Sequence, residues 1–421
     1  MLAQKVSGTS AGLWLLVPEM LRLGLWDILK AWTGEEDTAL EPKVAMQMVN
    51  ESALCINRVR RQNSLGHQGF QLVNGMGRLV TDQQAHLLMN HHTVKQTHQM
   101  LVNLGLQRQL CGHYQGDLIA IDPHRIISSS KRVMAKKKKV SDAPSKKMIQ
   151  TFFAVSALTG QPIMATMAST GMPTSRSTLP LLDSVGNIIK TDSLLMADKE
   201  HFTYDLFKET KQKASLDLLA PALNTKRIQN QIKALTYKPL WAGFALAETI
   251  FKFDGHPEKF RLIAQRTGER KEDFKYNAFI TTSDKSAKTL VCKDYDRRWS
   301  VEEFFRFENA MGLNRAATLN LNIRYARLAF SMMAQAATYQ LRNKLKGDYN
   351  TWNAEHLAEE ILAWTDGDIR VEDDTIIVTI YDPHKHIDTN KYVNMPNILQ
   401  NEGVKPKIPW LYDFKLDFRF K

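Results

Sequence analysis

The chain has 421 residues, enough for two or three domains with their own cores, and its 43% hydrophobic and 24% charged content is that of an ordinary globular protein. The charge balance is less ordinary. Lys and Arg number 56 against 44 Asp and Glu, a net +12 that favours polyanionic partners, nucleic acid first and an anionic membrane surface second. Three scattered cysteines exclude a disulfide framework or a CxxC zinc pair and fit a reducing cytoplasm; Leu13–Val17, cut by Pro18, Glu19 and Arg22, is neither a membrane span nor a signal segment.

Residues 1–110 read as an all-helical domain. Leu13, Leu16, Val17, Met20, Leu21, Leu25, Ile28 and Leu29 recur at three- and four-residue steps, and Gly34 with Glu35–Asp37 ends the pattern. A second helical stretch runs from Lys43 to Arg61, and the glycines of Gly66–Gly77 predict a loop. Asp82 can cap a helix through Met89, and Thr93 with Gln96 forms a capping box for a helix stopped by Gly105. The two short helices joined by Asn90-His91-His92 suit either a helix-turn-helix in a DNA groove or an ordinary bundle. His86, His91, His92 and His98 have no cysteine or carboxylate at ligand spacing, which argues against a metal site there.

From Asp117 the pattern becomes α/β. Leu118–Ile121 reads as a short buried strand ending at Asp122; Phe152–Leu158 and Ile163–Ala168 form a hairpin around Thr159-Gly160-Gln161-Pro162. A helix over Thr174–Ile189, a buried strand Leu194–Ala197 ending at Asp198, a helix Phe202–Lys213 and a strand Leu216–Ala220 follow. Strand, hairpin, helix, strand, helix, strand and a late glutamate-bearing helix is the order of a ribonuclease H-like core, with chemistry gathered at strand ends. The expected division is 1–110 helical and DNA-binding, 111–222 the first part of the core, 223–294 a β-rich insertion, 295–346 the second part of the core, and 347–421 a mixed α/β C-terminal domain with DNA or dimer contacts. Within the insertion, Trp241–Glu248, Lys259–Arg266 and Lys275–Thr282 alternate apolar and polar residues. Beyond it, Arg315–Lys346 predicts one long helix, Glu355–Trp364 another, Ile369–Tyr381 a strand, and Trp410–Lys421 a strand or interaction tail.

The stretch Tyr295–Asn309, YDRRWSVEEFFRFEN, organises the rest. Ser300 and Glu303 form a capping-box pattern, so a helix is expected to start there, with Glu302 free to point elsewhere. Asp122, Asp198 and Glu302 would then supply hard oxygen donors from rigid supports, as a pair of divalent cations about 4 Å apart requires for phosphodiester chemistry. Asp117 competes with Asp122 but precedes its strand. Nine basic residues between Asp122 and Gln150, among them Arg125, Lys131 and Arg132, suit a backbone clamp or a solvated face. Arg298 could neutralise a phosphate or pair with Asp294 or Asp296; Trp299 and Trp241 could stack on a base, and the core is the default for each.

These residues resemble those of bacterial insertion-sequence DDE transposases with a Y-x2-R-x3-E-x6-K signature. Tyr295, Arg298 and Glu302 fall on that spacing, and Asp122 in LIAID with Asp198 in LLMADKEHF matches the other two acidic motifs. The resemblance covers roughly residues 110–345. It implies a ribonuclease H-like enzyme performing cut-and-paste transposition with two Mg2+ ions, for which Mn2+ can substitute, held by Asp122, Asp198 and Glu302. It further implies binding of double-stranded DNA at terminal inverted repeats and of target DNA, dimerisation on DNA, no membrane association, and a bacterial cytoplasmic, nucleoid-associated location. Tyr295 and Arg298 would hold the phosphate beside the scissile bond, and Trp299 a flipped base. Asn309 stands where the signature has lysine. The competing readings are a catalytically inactive DNA-binding derivative and a ribonuclease H-like nuclease without strand transfer.

Overall fold

The computed structural model describes residues 5–8, 10–34, 39–56, 68–78, 80–128, 131, 133, 135–137, 144–169, 171–189, 192–313, 318–347 and 352–421. It divides into two units, Gly112–Phe304 and Met1–Cys111 with Phe305–Lys421; the division falls inside the helix Ser300–Glu308. Arg58, Arg60, Arg61 and Arg132 lie outside the described residues.

In the first unit the order is β1 (Leu118–Ile127), β2 (Lys146–Ser156), β3 (Pro162–Ser169), α1 (Thr174–Ile188), β4 (Leu194–Met196), α2 (Tyr204–Ala214) and β5 (Asp217–Pro221). Leu118–Ile121 and all of β4 are buried, as expected for central strands with neighbours on both sides. β1 pairs antiparallel with β2 and parallel with β4, and β4 pairs parallel with β5. β1 does not end at Asp122: the ladder continues through Asp122 opposite Phe153 and Pro123 opposite Phe152 to Ile127 opposite Met148. The length of β2 provides the partner that carries it on. The helices α1 and α2 come close where Gly186 faces Ala214, and a Cβ on Gly186 would sit 3.0 Å from the Ala214 backbone.

The predicted insertion folds as α3 (Lys226–Lys233) and four strands, β6 (Lys238–Trp241), β7 (Phe244–Phe251), β8 (Phe260–Thr267) and β9 (Lys275–Thr281). They are antiparallel neighbours in sequence, and Phe279–Thr281 of β9 pairs with Leu219–Pro221 of β5. The meander therefore prolongs the central sheet, whose order from β2 is β2-β1-β4-β5-β9-β8-β7-β6, with β3 and the short strand Lys136–Lys137 both pairing with β2. The β6–β7 turn is Ala242-Gly243, with Gly243 at φ +72° as a tight hairpin requires. Trp241 beside it departs from the core default: it is half-exposed and stacks on Phe244 at 4.4 Å.

After β9 the chain is helical from Ala287 to Glu308, but not uniformly: an α turn at Ala287–Thr289, a π turn at Leu290–Asp294, a 3-10 segment at Tyr295–Trp299, then α4 (Ser300–Glu308). The capping box expected at Ser300 does not form. Ser300 has helical dihedrals (φ −56°, ψ −29°), its amide already donates to Arg297 O and Arg298 O, and its buried Oγ has no hydrogen-bond partner. A helix that arrives from upstream has no orphan amides to cap.

The second unit contains the helices Val17–Arg22, Leu25–Thr33, Leu40–Ala53, Asp82–His91, Val94–Leu110 and Leu321–Arg342. Several local expectations change. Gln68–Val73 is a helix inside the predicted loop; the cap of the helix at Asp82 is Thr81, in a capping box with Gln84; and Val94–Leu110 runs past Gly105, which is buried among its neighbours. The predicted strand over Ile369–Tyr381 is a hairpin, Gly367–Glu372 with Thr375–Ile380, turned at Asp373 (φ 52°). The N-terminal stretch is not all helix: Val6–Gly8 pairs with Gly367–Ile369 at the edge of this sheet, which Phe414–Phe420 joins in parallel. Glu19 is fully buried and held by Arg22 at 3.0 Å and Lys344 at 2.9 Å, while Arg22 also reaches Glu402 at 2.6 Å. Among the described residues no helix is long and apolar enough to cross a membrane.

Candidate active site

Three acidic side chains distant in sequence come together near Arg298, which pairs with two of them, while Asp198 acts on Asp122 through its charge. Asp122 leaves the middle of β1, Asp198 lies two residues past the end of β4, and Glu302 lies in the first turn of α4. One guanidinium nitrogen of Arg298 lies 3.7 Å from Asp122 Oδ1 and the other 3.6 Å from Glu302 Oε1. Arg298 thus pairs with the predicted acids and not with Asp294 or Asp296. Its guanidinium also lies 5.9 Å from the Tyr295 ring and 5.2 Å from the Trp299 ring.

The electrostatics are those of crowded carboxylates. Burial pushes the Asp122 carboxyl up to about 7, and the charge of Asp198 adds to it, outweighing the pull of Arg298. Asp198 goes the other way. Burial alone would raise it, but a hydrogen bond from His201 and one from the Glu200 amide bring it below the usual carboxylate range. Burial raises the Tyr295 phenol to about 12, so it stays protonated; it donates to Ala197 O at 3.4 Å, and its ring packs edge-on against Phe279 at 4.9 Å.

Asp198 is held by local geometry. It caps the 3-10 turn Lys199–His201, with Oδ1 accepting from Glu200 N at 3.0 Å and from His201 Nδ1 at 2.7 Å. Asp117, the competitor for the first acidic position, is tied instead to Lys285 at 2.6 Å, and Lys285 also reaches Asp294 at 3.8 Å.

The expected phosphate contacts are scattered. Arg125 is already engaged, paired with Glu200 and donating to Gln150 at 3.2 Å. Lys131 is exposed after β1, and Trp299 is exposed beside Arg298 rather than in the core (58%). Reading the sequence missed His201, although its place three residues after a capping aspartate was a signal for contact. It also missed the Glu200 that occupies Arg125. Of the N-terminal histidines, His92 is a core residue whose Nδ1 meets Leu88 O at 3.0 Å and whose ring lies 3.9 Å from Trp32.

Among the described residues no group of three or more His, Cys, Asp and Glu side chains is arranged to hold a metal ion as it stands. Arg298 occupies the space between Asp122 and Glu302. The donor set nonetheless suits a hard divalent cation, since all three acids offer carboxylate oxygens.

No curated protein matches the chain. Among solved structures, a piggyBac transposase synaptic complex with hairpin DNA is similar over 86% of this chain and 83% of that one, at 12% identity and a TM-score of 0.46. The family model for the transposase DDE domain matches residues 113–336, a little over half of the chain and a span that includes Asp122, Asp198 and Glu302. Enzymes of this kind are in general nucleases and transesterases that use divalent metal ions. The chain belongs to the transposase DDE-domain family.

Proposed function

We propose that the chain is a DNA transposase that cleaves phosphodiesters at the terminal inverted repeats of its element and joins the freed 3′ ends to target DNA. The catalytic acids are Asp122, Asp198 and Glu302. The observation that carries this reading is their coming together near Arg298 from β1, the segment just past β4, and α4. The strand order β2-β1-β4-β5, with β3 paired to β2 and α1 and α2 as crossovers, supports a ribonuclease H-like core. The Tyr295, Arg298 and Glu302 spacing supports the bacterial insertion-sequence group with the tyrosine–arginine–glutamate signature.

Mg2+ in a pair, or Mn2+ in its place, fits the site: Asp122, Asp198 and Glu302 would hold the ions, which supply the positive charge that attacking and leaving oxygens need. The protein's own groups do the positioning. Once the carboxylates are neutralised otherwise, the Arg298 guanidinium is available to grip a phosphate through two parallel hydrogen bonds. Tyr295, protonated throughout the working range, orients by donating and cannot serve as a base. Trp299 offers an exposed ring on which a base can stack. Arg125, Lys131 and Arg132 follow Asp122 in sequence and suit contacts along the DNA backbone. Asn309, whose Oδ1 is enclosed with no hydrogen-bond partner among the described residues, stands where the signature has lysine, and the proposal covers strand cleavage and transfer.

The remaining parts of the reading are that residues 1–110 recognise the repeats, that 223–294 act as an insertion to the core, and that 347–421 contribute DNA or dimer contacts. Two copies would act together on paired ends, in the bacterial cytoplasm at the nucleoid. The test is an end-cleavage and strand-transfer assay in Mg2+ on DNA carrying the repeats of the element, with wild type beside Glu302→Gln. Repeat-boundary cleavage by wild type alone, with DNA binding kept by both, is the expected result. Binding without cleavage by wild type would favour the inactive DNA-binding reading. Cutting that ignores the repeats and joins no strands would favour a plain nuclease.

A further inference from the structure

His201 is a costly residue where it stands. Its side chain is fully buried, and its Nε2 has no hydrogen-bond partner. A buried ring nitrogen left unpaired is destabilising, and an apolar side chain of similar size would avoid that cost. What the imidazole provides is a hydrogen bond at its other nitrogen. An ionised carboxylate only accepts, so the 2.7 Å contact to Asp198 Oδ1 is a donation from Nδ1–H. With the Glu200 amide on the same oxygen at 3.0 Å, Oδ1 is committed twice, while no hydrogen bond reaches Oδ2 from among the described residues. The carboxylate is therefore fixed about its torsion with one oxygen restrained and the other presented.

We propose that His201 is a positioning residue for the active site: it locks Asp198 so that Oδ2 is the oxygen offered to a divalent cation. This rests on the reading of Asp198 as a metal ligand given above. In such an arrangement the outer partner fixes the ligand's orientation, and its loss typically weakens metal affinity about 10–100-fold. The donor matters more than the ring. An asparagine places its amide N–H near the site of Nδ1, a glutamine places its own near Nε2, and leucine fills the volume with no donor.

The experiment measures Mn2+ affinity of the full-length protein by electron paramagnetic resonance of the free ion, without DNA or turnover. Wild type is compared with His201→Asn, His201→Gln, His201→Leu and Asp198→Asn, with circular dichroism reporting the fold. The expected result is near-wild-type affinity in His201→Asn and affinity lower by about 10-fold or more in His201→Leu and His201→Gln. Wild-type affinity in a folded His201→Leu overturns the proposal. If the leucine variant does not fold, equal affinities in the asparagine and glutamine variants overturn it instead. Asp198→Asn separates the two claims: wild-type Mn2+ affinity in that variant removes Asp198 as a ligand, and the role of His201 falls with it. Loss of binding in Asp198→Asn with no effect at His201 refutes only the positioning role.

Discussion

Asp122→Asn tests whether the carboxylate cluster is held against electrostatic strain. The Asp122 carboxyl stands at about 7 in the folded chain against an ordinary value of 3.8, first because it is buried and then because Asp198 is near. A raised acid binds more protons when folded than when unfolded between those two values, so stability falls as pH rises through that window. Above pH 7 the full penalty applies. A difference of about 3 pK units corresponds to ~4 kcal/mol, an upper bound because part of the side chain (21%) is exposed to solvent. Asparagine has the shape of the protonated acid and does not titrate, so it relieves the penalty. In EDTA at pH 8 the variant should unfold at a higher temperature than wild type, by several degrees at about 2–4 °C per kcal/mol for a unit of this size. By pH 4 the two proteins should nearly coincide. Excess Mg2+ should narrow the gap at pH 8 from the other side, since it stabilises wild type by binding and does little for the variant. Thermal melts followed by circular dichroism at the two pH values are sufficient. A variant less stable than wild type at pH 8 without metal, or a gap unchanged between pH 8 and 4, would refute the strained-cluster account.

Other perturbations test the local structure. Ser300→Ala should change stability by less than about 0.5 kcal/mol in urea unfolding, because its Oγ has no partner; an N-cap serine would cost about 1 kcal/mol. Glu19→Ala removes the fully buried acid between Arg22 and Lys344 and leaves the half-buried lysine uncompensated, so it should destabilise by about 2–4 kcal/mol in the same measurement. Gly186→Ala places a methyl 3.0 Å from the Ala214 backbone and should cost about 1–3 kcal/mol even though alanine is the better helix former.

The acidic positions were legible because central parallel strands are near-continuous apolar runs, so LIAID and LLMAD each flag the polar residue that follows. The extent of β1 was not legible. Pro123, His124 and Arg125 resemble a turn, and it is β2, through pairs such as Arg125 with Gln150, that keeps them extended. Gly105 looked like a stop for the same reason: within its window it breaks a pattern, yet burial beside Leu101 and Leu104 carries the helix five residues further. The capping box at Ser300 was the reverse error, a sound local motif at a place that is not a helix start.

The arrival of the helix from upstream also accounts for the gaps between Tyr295, Arg298 and Glu302. Tyr295–Trp299 is a 3-10 segment with three residues per turn, so Tyr295 and Arg298, three apart, lie one above the other. From Ser300 the chain is α-helical, and Glu302, four beyond Arg298, returns to nearly the same face, where the 3.6 Å ion pair forms. A gap of three followed by a gap of four is thus one tight turn and then one ordinary turn. The π turn at Leu290–Asp294 and the 3-10 segment after it set the rotation at which α4 begins. Tyr295, Arg298 and Glu302 consequently reach the same space as Asp122 and Asp198, although the sequence of this stretch reads as charged loop followed by a fresh helix.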